Sequence, residues 1–303
     1  MKFSIIIPTY NEENDIRGTI EALLKLDYPN KEILIVDDST DNTPNIVREY
    51  ANKDVTLIHP GGGGRCEARN IGIHCATGDV VCILNADVRL PADFLNRIKP
   101  HYDHSADYVL VSARVSNLGD LFARYISCVS DYDYTDTHSL QWTEGFSCRK
   151  ASAIKAGLFP EGFALPICAG EDGYFGDNLK RIGAKRVFDT SITVEHIAPA
   201  KFSEYWSIRK GRGSGLPLVK RFLEKISLRR LIIRNIAKTF YDAAKIILII
   251  PGLHFSFKVS QYSDRKHKDI VPFFYAWVIE KFAFHVGMWQ ATFRLLKVNK
   301  MLK

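Results

Sequence analysis

The sequence predicts an α/β fold, a mostly parallel sheet with helices on both faces, followed by a C-terminal region of amphipathic helices. Three observations carry this expectation. Through the first third of the chain, short apolar runs alternate with stretches whose apolar residues recur at helical spacing. Three of those runs stop at polar clusters, Thr9-Tyr10-Asn11, Asp37-Asp38 and Asn85-Ala86-Asp87, as strands do when their carboxyl ends line one pocket. The charge also changes sign along the chain. Residues 1–200 carry 20 Lys and Arg against 28 Asp and Glu, while residues 201–303 carry 21 against 6.

In chain order, Phe3 to Pro8 reads as the first strand, and Ile16, Ile20, Leu23 and Leu24 then share one helix face. Lys31 to Val36 is a second strand, ending at Asp37-Asp38. Thr43 and Pro44 fit the N-cap and first position of a helix carrying Ile46, Val47 and Tyr50. Val55 to Ile58 is a third strand. Gly61 to Gly64 lead into a helix with Ala68, Ile71 and Cys75. The run Val80 to Val88 (VVCILNADV) is then the central buried strand, after which Pro91 opens another helix.

The 303 residues allow one large or two modest domains, here 1–215 and 216–303, and 46% hydrophobic with 25% charged residues is an ordinary globular composition. The six cysteines (Cys66, Cys75, Cys82, Cys128, Cys148, Cys168) are scattered without a C-x-x-C pair, as expected of thiols in a reducing cytoplasm. Met1-Lys2 runs into the first strand without the apolar length or small-residue cleavage site of a signal peptide, so secretion is not expected. The net charge of +7 is concentrated in the tail. A basic tail suits nucleic acid or an anionic membrane, and its aromatic and aliphatic content favours the membrane over nucleic acid.

Each polar cluster has a chemical use. Asn85-Ala86-Asp87 presents two oxygens from alternate residues, enough to hold a hard divalent cation that keeps sites for phosphate; a plain Asx turn ends a strand equally well. Asp37-Asp38 can accept hydrogen bonds from a ribose or a base, or form a turn. Gly61 to Gly64, with Arg65 and Arg69, sets flexible backbone beside two cations, useful against phosphate oxygens. No G-x-G-x-x-G follows the first strand and no G-x-x-x-x-G-K-[ST] occurs, which removes the main support for dinucleotide and P-loop sites.

The ordered segments Ile5-Ile6-Ile7-Pro8-Thr9-Tyr10-Asn11-Glu12, Ile35-Val36-Asp37-Asp38-Ser39-Thr40-Asp41-Asn42-Thr43, Ala68-Arg69-Asn70-x-Gly72, Ala76-Thr77-Gly78-Asp79 and Asn85-Ala86-Asp87 resemble the signature of family 2 glycosyltransferases. The resemblance covers about residues 3–215. It implies the glycosyltransferase A fold, a UDP- or GDP-sugar donor, a divalent cation (magnesium or manganese) and inversion at the anomeric carbon. By the same resemblance Thr9 and Asp38 contact the base, Asp37 the base or ribose, and Arg69 the nucleotide. Pro8, Tyr10, Glu12, Arg65, Asn85 and Ala86 then belong to the donor site. Asp87 is implied as the chief metal carboxylate, with Asn85 and His196 beside it. Asn85 stands where the family usually has a first Asp, and its neutral amide oxygen is the weaker ligand.

The second half supplies the acceptor side. Trp142-Thr143-Glu144-Gly145-Phe146-Ser147 resembles the family's acceptor segment, which implicates Trp142, Glu144 and Gly145; a buried strand with a bulge reads the same way. Leu179, Ile182 and Gly183 read as a helix and its C-cap, placing Glu171-Asp172 at that helix's N-terminus, where acidic residues also favour the dipole. By resemblance Asp172 is the general base and Glu171 its neighbour. The stretch from Trp206 to Gly215 reads as a mobile, glycine-rich loop whose Arg209 and Arg212 close on the donor diphosphate, or as a solvated basic linker. It lacks the Gln-x-x-Arg-Trp pattern of processive synthases, so one sugar per encounter is expected.

From about Leu216 the character changes. Leu228 to Gly252 is apolar but interrupted by Arg229, Arg230, Arg234, Lys238, Asp242 and Lys245, and Val271 to Trp289 holds Glu280, Lys281 and His285 near its middle. Charges at a bilayer centre cost about 2.5–3.5 kcal/mol each, so helices lying in an anionic interface are expected in preference to spanning ones. Packing on the catalytic domain or a dimer is the alternative. The expected protein is therefore an inverting glycosyltransferase at the cytoplasmic face of the cell membrane, acting on a lipid-linked or glycan acceptor. A sugar-phosphate nucleotidylyltransferase would place its glycine-arginine loop after the first strand, whereas here it follows the third. An inactive nucleotide-binding scaffold would not need Glu171-Asp172.

Overall fold

The computed structural model describes residues 1–51, 54–133 and 144–301. The elements are, in order, β1 (Phe3–Thr9), α1 (Ile16–Leu24), β2 (Lys31–Asp37), α2 (Thr43–Arg48), β3 (Val55–Ile58), α3 (Arg65–Cys75), β4 (Val80–Ile83), β5 (Val88–Arg89), α4 (Phe94–Asp103) and β6 (Tyr108–Val115). There follow α5 (Leu121–Tyr132), β7 (Phe146–Arg149), α6 (Lys150–Lys155), α7 (Glu171–Arg181), β8 (Arg186–His196), α8 (Phe202–Leu218), α9 (Leu228–Ile247), α10 (Ile250–Ser260) and α11 (Ile270–Met301). The chain forms two compact units. The first comprises Met1–Arg114, Thr137–Gly162 and Glu171–His196; the second comprises Val115–Asp136, Phe163–Gly170 and Ile197–Lys303.

The first unit is built on an eight-stranded sheet of order β3-β2-β1-β4-β7-β6-β8-β5. Strands β3, β2, β1 and β4 are parallel, as the alternation of strands and helices predicts, whereas β7 pairs antiparallel with β4 and β6, and β5 with β8. The two-residue period sorts the core. Phe3, Ile5, Ile7, Ile33 and Ile35 join Ile16, Ile20, Leu23, Phe94 and Ile98 of α1 and α4 on one face. Ile6 and Val36 point the other way, toward α3, where a Cβ on Gly72 would stand 2.3 Å from Ile6 Cγ2. Only glycine lets that helix lie so close to the sheet.

Two local expectations are corrected. The run Val80 to Val88 is not one strand: β4 ends at Ile83, and the chain turns so that Val88 N–H donates to the Asn85 carbonyl (3.3 Å) before β5. Thr43 is not an N-cap. Asn42 precedes α2, and the Thr43 hydroxyl accepts from Glu12 N–H (2.9 Å). A third motif is structural. Glu32 accepts from Thr77 N–H (2.7 Å), Thr77 Oγ1 (2.8 Å) and Ser4 Oγ (2.5 Å), while Gly78 N–H donates to Ser4 Oγ (2.8 Å). Ala76-Thr77-Gly78-Asp79 therefore latches the amino ends of β1, β2 and β4, away from their carboxyl ends.

The second unit is helical. Arg124 forks onto Asp269 (2.8 and 3.1 Å), and Phe122, Tyr125, Tyr205, Phe273 and Trp277 fill the core. The glycines at 213 and 287 belong to a helix crossing: a Cβ at Gly213 would stand 1.9 Å from the Phe284 carbonyl oxygen, and one at Gly287 the same distance from that of Lys210. The expected loop from Trp206 to Gly215 is therefore part of helix α8, with Gly213 and Gly215 spent on backbone contact. Lys266–Asn299 is long and apolar enough to cross a membrane by length and composition. Together α9 and α10 meet the same measure, but they are bent by 79°. All six cysteines are thiols; Cys66, Cys82, Cys128 and Cys148 are buried, and Cys75 and Cys168 are exposed.

Candidate active site

The neighbouring strands β2, β1 and β4 bring their carboxyl ends to one edge of the sheet, and the polar clusters meet there. Thr9 Oγ1 (2.7 Å) and Ser39 Oγ (2.6 Å) both donate to Asp37 Oδ1, and Asp38 N–H donates to the Thr9 carbonyl (3.1 Å). Asp37 Oδ2 is buried and has no hydrogen-bond partner among the described residues. A buried carboxylate oxygen left in that condition is an acceptor waiting for a donor. The glycine loop passes beside it: Gly61, Gly62 and Gly64 have φ of +97°, +101° and +87°, and a Cβ at Gly62 would lie 4.0 Å from Asp38 Oδ2. Pro8, one residue before the end of β1, is half-buried, and Tyr10 projects into solvent.

One strand along, Asp87 repeats the pattern. Its Oδ1 is buried and unpartnered among the described residues, and its Oδ2 lies 3.2 Å from His196 Nε2 at the end of β8. Asn85 is half-buried and Ala86 buried, its carbonyl accepting from Thr19 Oγ1 and Arg89 Nη1. Burial, and then the charge of Asp87, pushes the Glu12 carboxyl up to about 7. Burial also raises Glu144, whose Oε2 lacks a partner among the described residues; His196 opposes that shift, while Asp87 and Asp172 add to it. Gly145, at φ +73°, could not carry a side chain, because its Cβ would meet Val111 Cγ2 at 2.4 Å.

The Glu12 shift has a measurable sign. In the metal-free protein, folded Glu12 keeps its proton until about pH 7 while an unfolded Glu loses it near 4.5. Its contribution is complete below pH 4.5 and is lost as pH rises to 7. Glu12→Gln is expected to flatten that part of the decline, by up to about 3 kcal/mol, in urea unfolding at pH 5 and pH 7.5. Identical slopes for the two proteins would contradict the assignment.

The third group is held by α3. Arg69 is fully buried, and its Nη1 donates to Glu171 Oε1 (3.0 Å) and Asp172 Oδ1 (2.6 Å) at the start of α7, with the guanidinium 4.9 Å from the Phe159 ring centroid. Asn70, next in the helix, grips the backbone of Phe159 from both sides (2.9 and 2.9 Å). Gly72 completes the motif by seating the helix on Ile6. Arg65 is half exposed, its Nη1 3.9 Å from Glu171 Oε1. The Glu171 side chain is 1% exposed and that of Asp172 23%, so Asp172 is the one of the pair open to solvent. Burial and then Asp172 raise the Glu171 carboxyl, against Arg69 and Arg65.

Among the described residues, no group of three or more His, Cys, Asp or Glu stands ready as a metal site. Arg209 and Arg212 lie in α8 of the helical unit. The buried Arg209 guanidinium is engaged there by Glu280 (3.8 Å) and the Tyr205 ring (5.0 Å), not free on a loop. Trp142 lies outside the described residues.

Residues 4–163, more than half of the chain, match the family model described as "Glycosyl transferase family 2". The chain belongs to that family. The chain is 35% identical over 124 residues to the poly(ribitol-phosphate) beta-N-acetylglucosaminyltransferase TarS of Staphylococcus aureus, a match spanning 39% of this chain and only 22% of the relative's length. Its fold is similar to that of TarS residues 1–349 in complex with UDP-GlcNAc (TM-score 0.54, 17% identity, 95% of this chain and 90% of that one). It is also similar to the mannosyltransferase PcManGT of Pyrobaculum calidifontis in complex with GDP-Man and Mn2+ (TM-score 0.63, 19% identity, 96% and 86%). Among residues of the candidate site, sequence reasoning passed over Ser39 and Phe159. The hydroxyl after Asp37-Asp38 was a usable signal for Ser39; nothing in the sequence marks Phe159 as the floor beneath Arg69.

Proposed function

We propose that this chain transfers one sugar, with inversion, from a nucleoside diphosphate sugar to a hydroxyl or phosphate of a glycan or lipid-linked acceptor. The observation that carries the reading is the pair of buried carboxylate oxygens without a partner among the described residues, Asp37 Oδ2 at the end of β2 and Asp87 Oδ1 in the turn after β4, beyond the two strands that flank β1. One suits the N–H or O–H donors of a base or ribose, the other a hard cation. Asp87, with Asn85 and His196 beside it, would hold a divalent ion, the other positions being left to diphosphate oxygens and water. Such an ion, when bound, neutralises charge on the departing diphosphate. Thr9 and Ser39 fix Asp37 in place; Arg65 sets positive charge beside the glycine loop. Asp172 takes the proton of the acceptor hydroxyl as it attacks, and Arg69 holds that carboxylate at a fixed angle. The bound nucleotides named for TarS and PcManGT support a UDP- or GDP-sugar.

The test is thermal stabilisation by a panel of nucleoside diphosphates and their sugars, with Mg2+, Mn2+ or chelator. Metal-dependent stabilisation by one nucleotide series is expected, and Asp87→Ala should abolish it while leaving the ligand-free melting temperature within about 3 °C. No shift with any nucleotide and any metal would sink the reading.

A further inference from the structure

Helix α9 has three distinct faces. Leu231, Asn235 and Asp242 are buried against α11, with Asn235 Nδ2 donating to Thr292 Oγ1 (2.9 Å) and Asp242 Oδ2 lying 3.0 Å from His285 Nε2. Ile233, Ile236, Phe240 and Ile247 occupy the opposite face and are exposed. Arg234, Lys238 and Lys245, spaced by four and seven residues, make a basic flank between the two. Helix α11 repeats the pattern: Val271, Tyr275, Phe282, Val286 and Phe293 recur at intervals of four and seven, an exposed apolar stripe opposite the buried Phe273, Trp277 and Leu295.

The junction of α9 and α10 is sharper still. Ile247, Leu248, Ile249 and Ile250 are 77%, 63%, 49% and 76% exposed, four consecutive aliphatic side chains in water at a 79° elbow. Ile249 holds φ +58°, a conformation that β-branched residues avoid, so the turn is imposed by its surroundings. Those surroundings are visible: Gly252 seats α10 on α11 so closely that a Cβ there would stand 2.6 Å from the Phe274 ring and 2.7 Å from that of Trp277. The elbow is thus a fixed projection, its four side chains left open by the described residues of its own unit.

We propose that the elbow Ile247–Ile250 and the outer faces of α9 and α11 dock this unit on an anionic phospholipid leaflet, the elbow among the acyl chains and Arg234 and Lys245 at headgroup level. Charge selects that occupant. Residues 201–303 hold 21 basic against 6 acidic side chains, so a second copy would bring the same positive excess face to face, whereas anionic headgroups complement it. Glu280 and Lys281, midway along α11, favour lying in the interface over crossing it. The proposal does not rest on the donor chemistry above.

The experiment is co-sedimentation of the full chain with vesicles of phosphatidylcholine alone or with one-quarter phosphatidylglycerol. The variants are Ile247→Ser/Leu248→Ser/Ile250→Ser and Arg234→Gln/Lys245→Gln. Binding to the anionic vesicles is expected, weakened at least about 100-fold in the triple variant and about tenfold in the charge variant. Circular dichroism melting checks that both variants fold, which exposed positions should permit. Absence of binding by wild type, or binding unchanged in the triple variant, would overturn the proposal. So would a wild-type dimer in light scattering that the triple variant dissolves, since it would assign the patch to a second copy.

Discussion

Arg69→Ala is expected to cost about 3–5 kcal/mol of stability in urea unfolding, because it removes the guanidinium that Glu171 and Asp172 share and leaves the buried Glu171 carboxylate without its nearest cation. Arg69→Lys should recover only part of the loss. An ammonium supplies the charge but not a planar group to lie over Phe159, whose ring centroid is 4.9 Å from the Arg69 guanidinium carbon. Combining Arg69→Ala with Glu171→Gln should cost less than the sum of the two single changes, since the second removes the charge that the first strands. A loss under about 1 kcal/mol for Arg69→Ala would mean that the site tolerates the unpaired carboxylate and that the buried cluster is not what orders the start of α7.

Asp172→Asn is the second large effect, and it lies in chemistry. The amide oxygen can still accept from Arg69 Nη1 in place of Oδ1, so the melting temperature should move little. It cannot take a proton from an attacking hydroxyl. We expect kcat to fall about 10²–10⁴-fold, with nucleotide-dependent stabilisation unchanged within twofold. Glu171→Gln should do the reverse, changing stability more than turnover, because its side chain is only 1% exposed. If Asp172→Asn turned over normally, the base would have to be another carboxylate, with Glu144 next in place.

The parallel half of the fold and the three polar strand ends were legible because period and punctuation are local properties: apolar runs of strand length, then Asx residues, repeated. Direction of pairing is not local, so the antiparallel pairing of β7 with β4 and β6, and of β5 with β8, could not be read from alternation. The departures elsewhere share one cause, a polar or small residue put to use by a distant partner. Thr43 is positioned to cap but is claimed by Glu12 N–H, and Gly213 and Gly215 beside Arg212 look like flexibility until Phe284 and Ala169 are found against them. Arg69 follows a glycine run in the manner of a phosphate ligand. Yet it faces inward, because two carboxylates 102 and 103 residues later need it more.

The distribution of thiols gives the protein a built-in optical ruler. With four cysteines sealed from solvent, reagents that attack sulfur should find Cys75 in the sheet unit and Cys168 in the helical unit, one on each. Burial also pushes the thiols of Cys66 and Cys128 up to about 12, leaving them almost wholly protonated and slow to alkylate. A fluorescent donor and acceptor can therefore be attached to the natural sequence, and energy transfer between them would report whether nucleotide, metal or vesicle changes the spacing of the two units, without a single substitution.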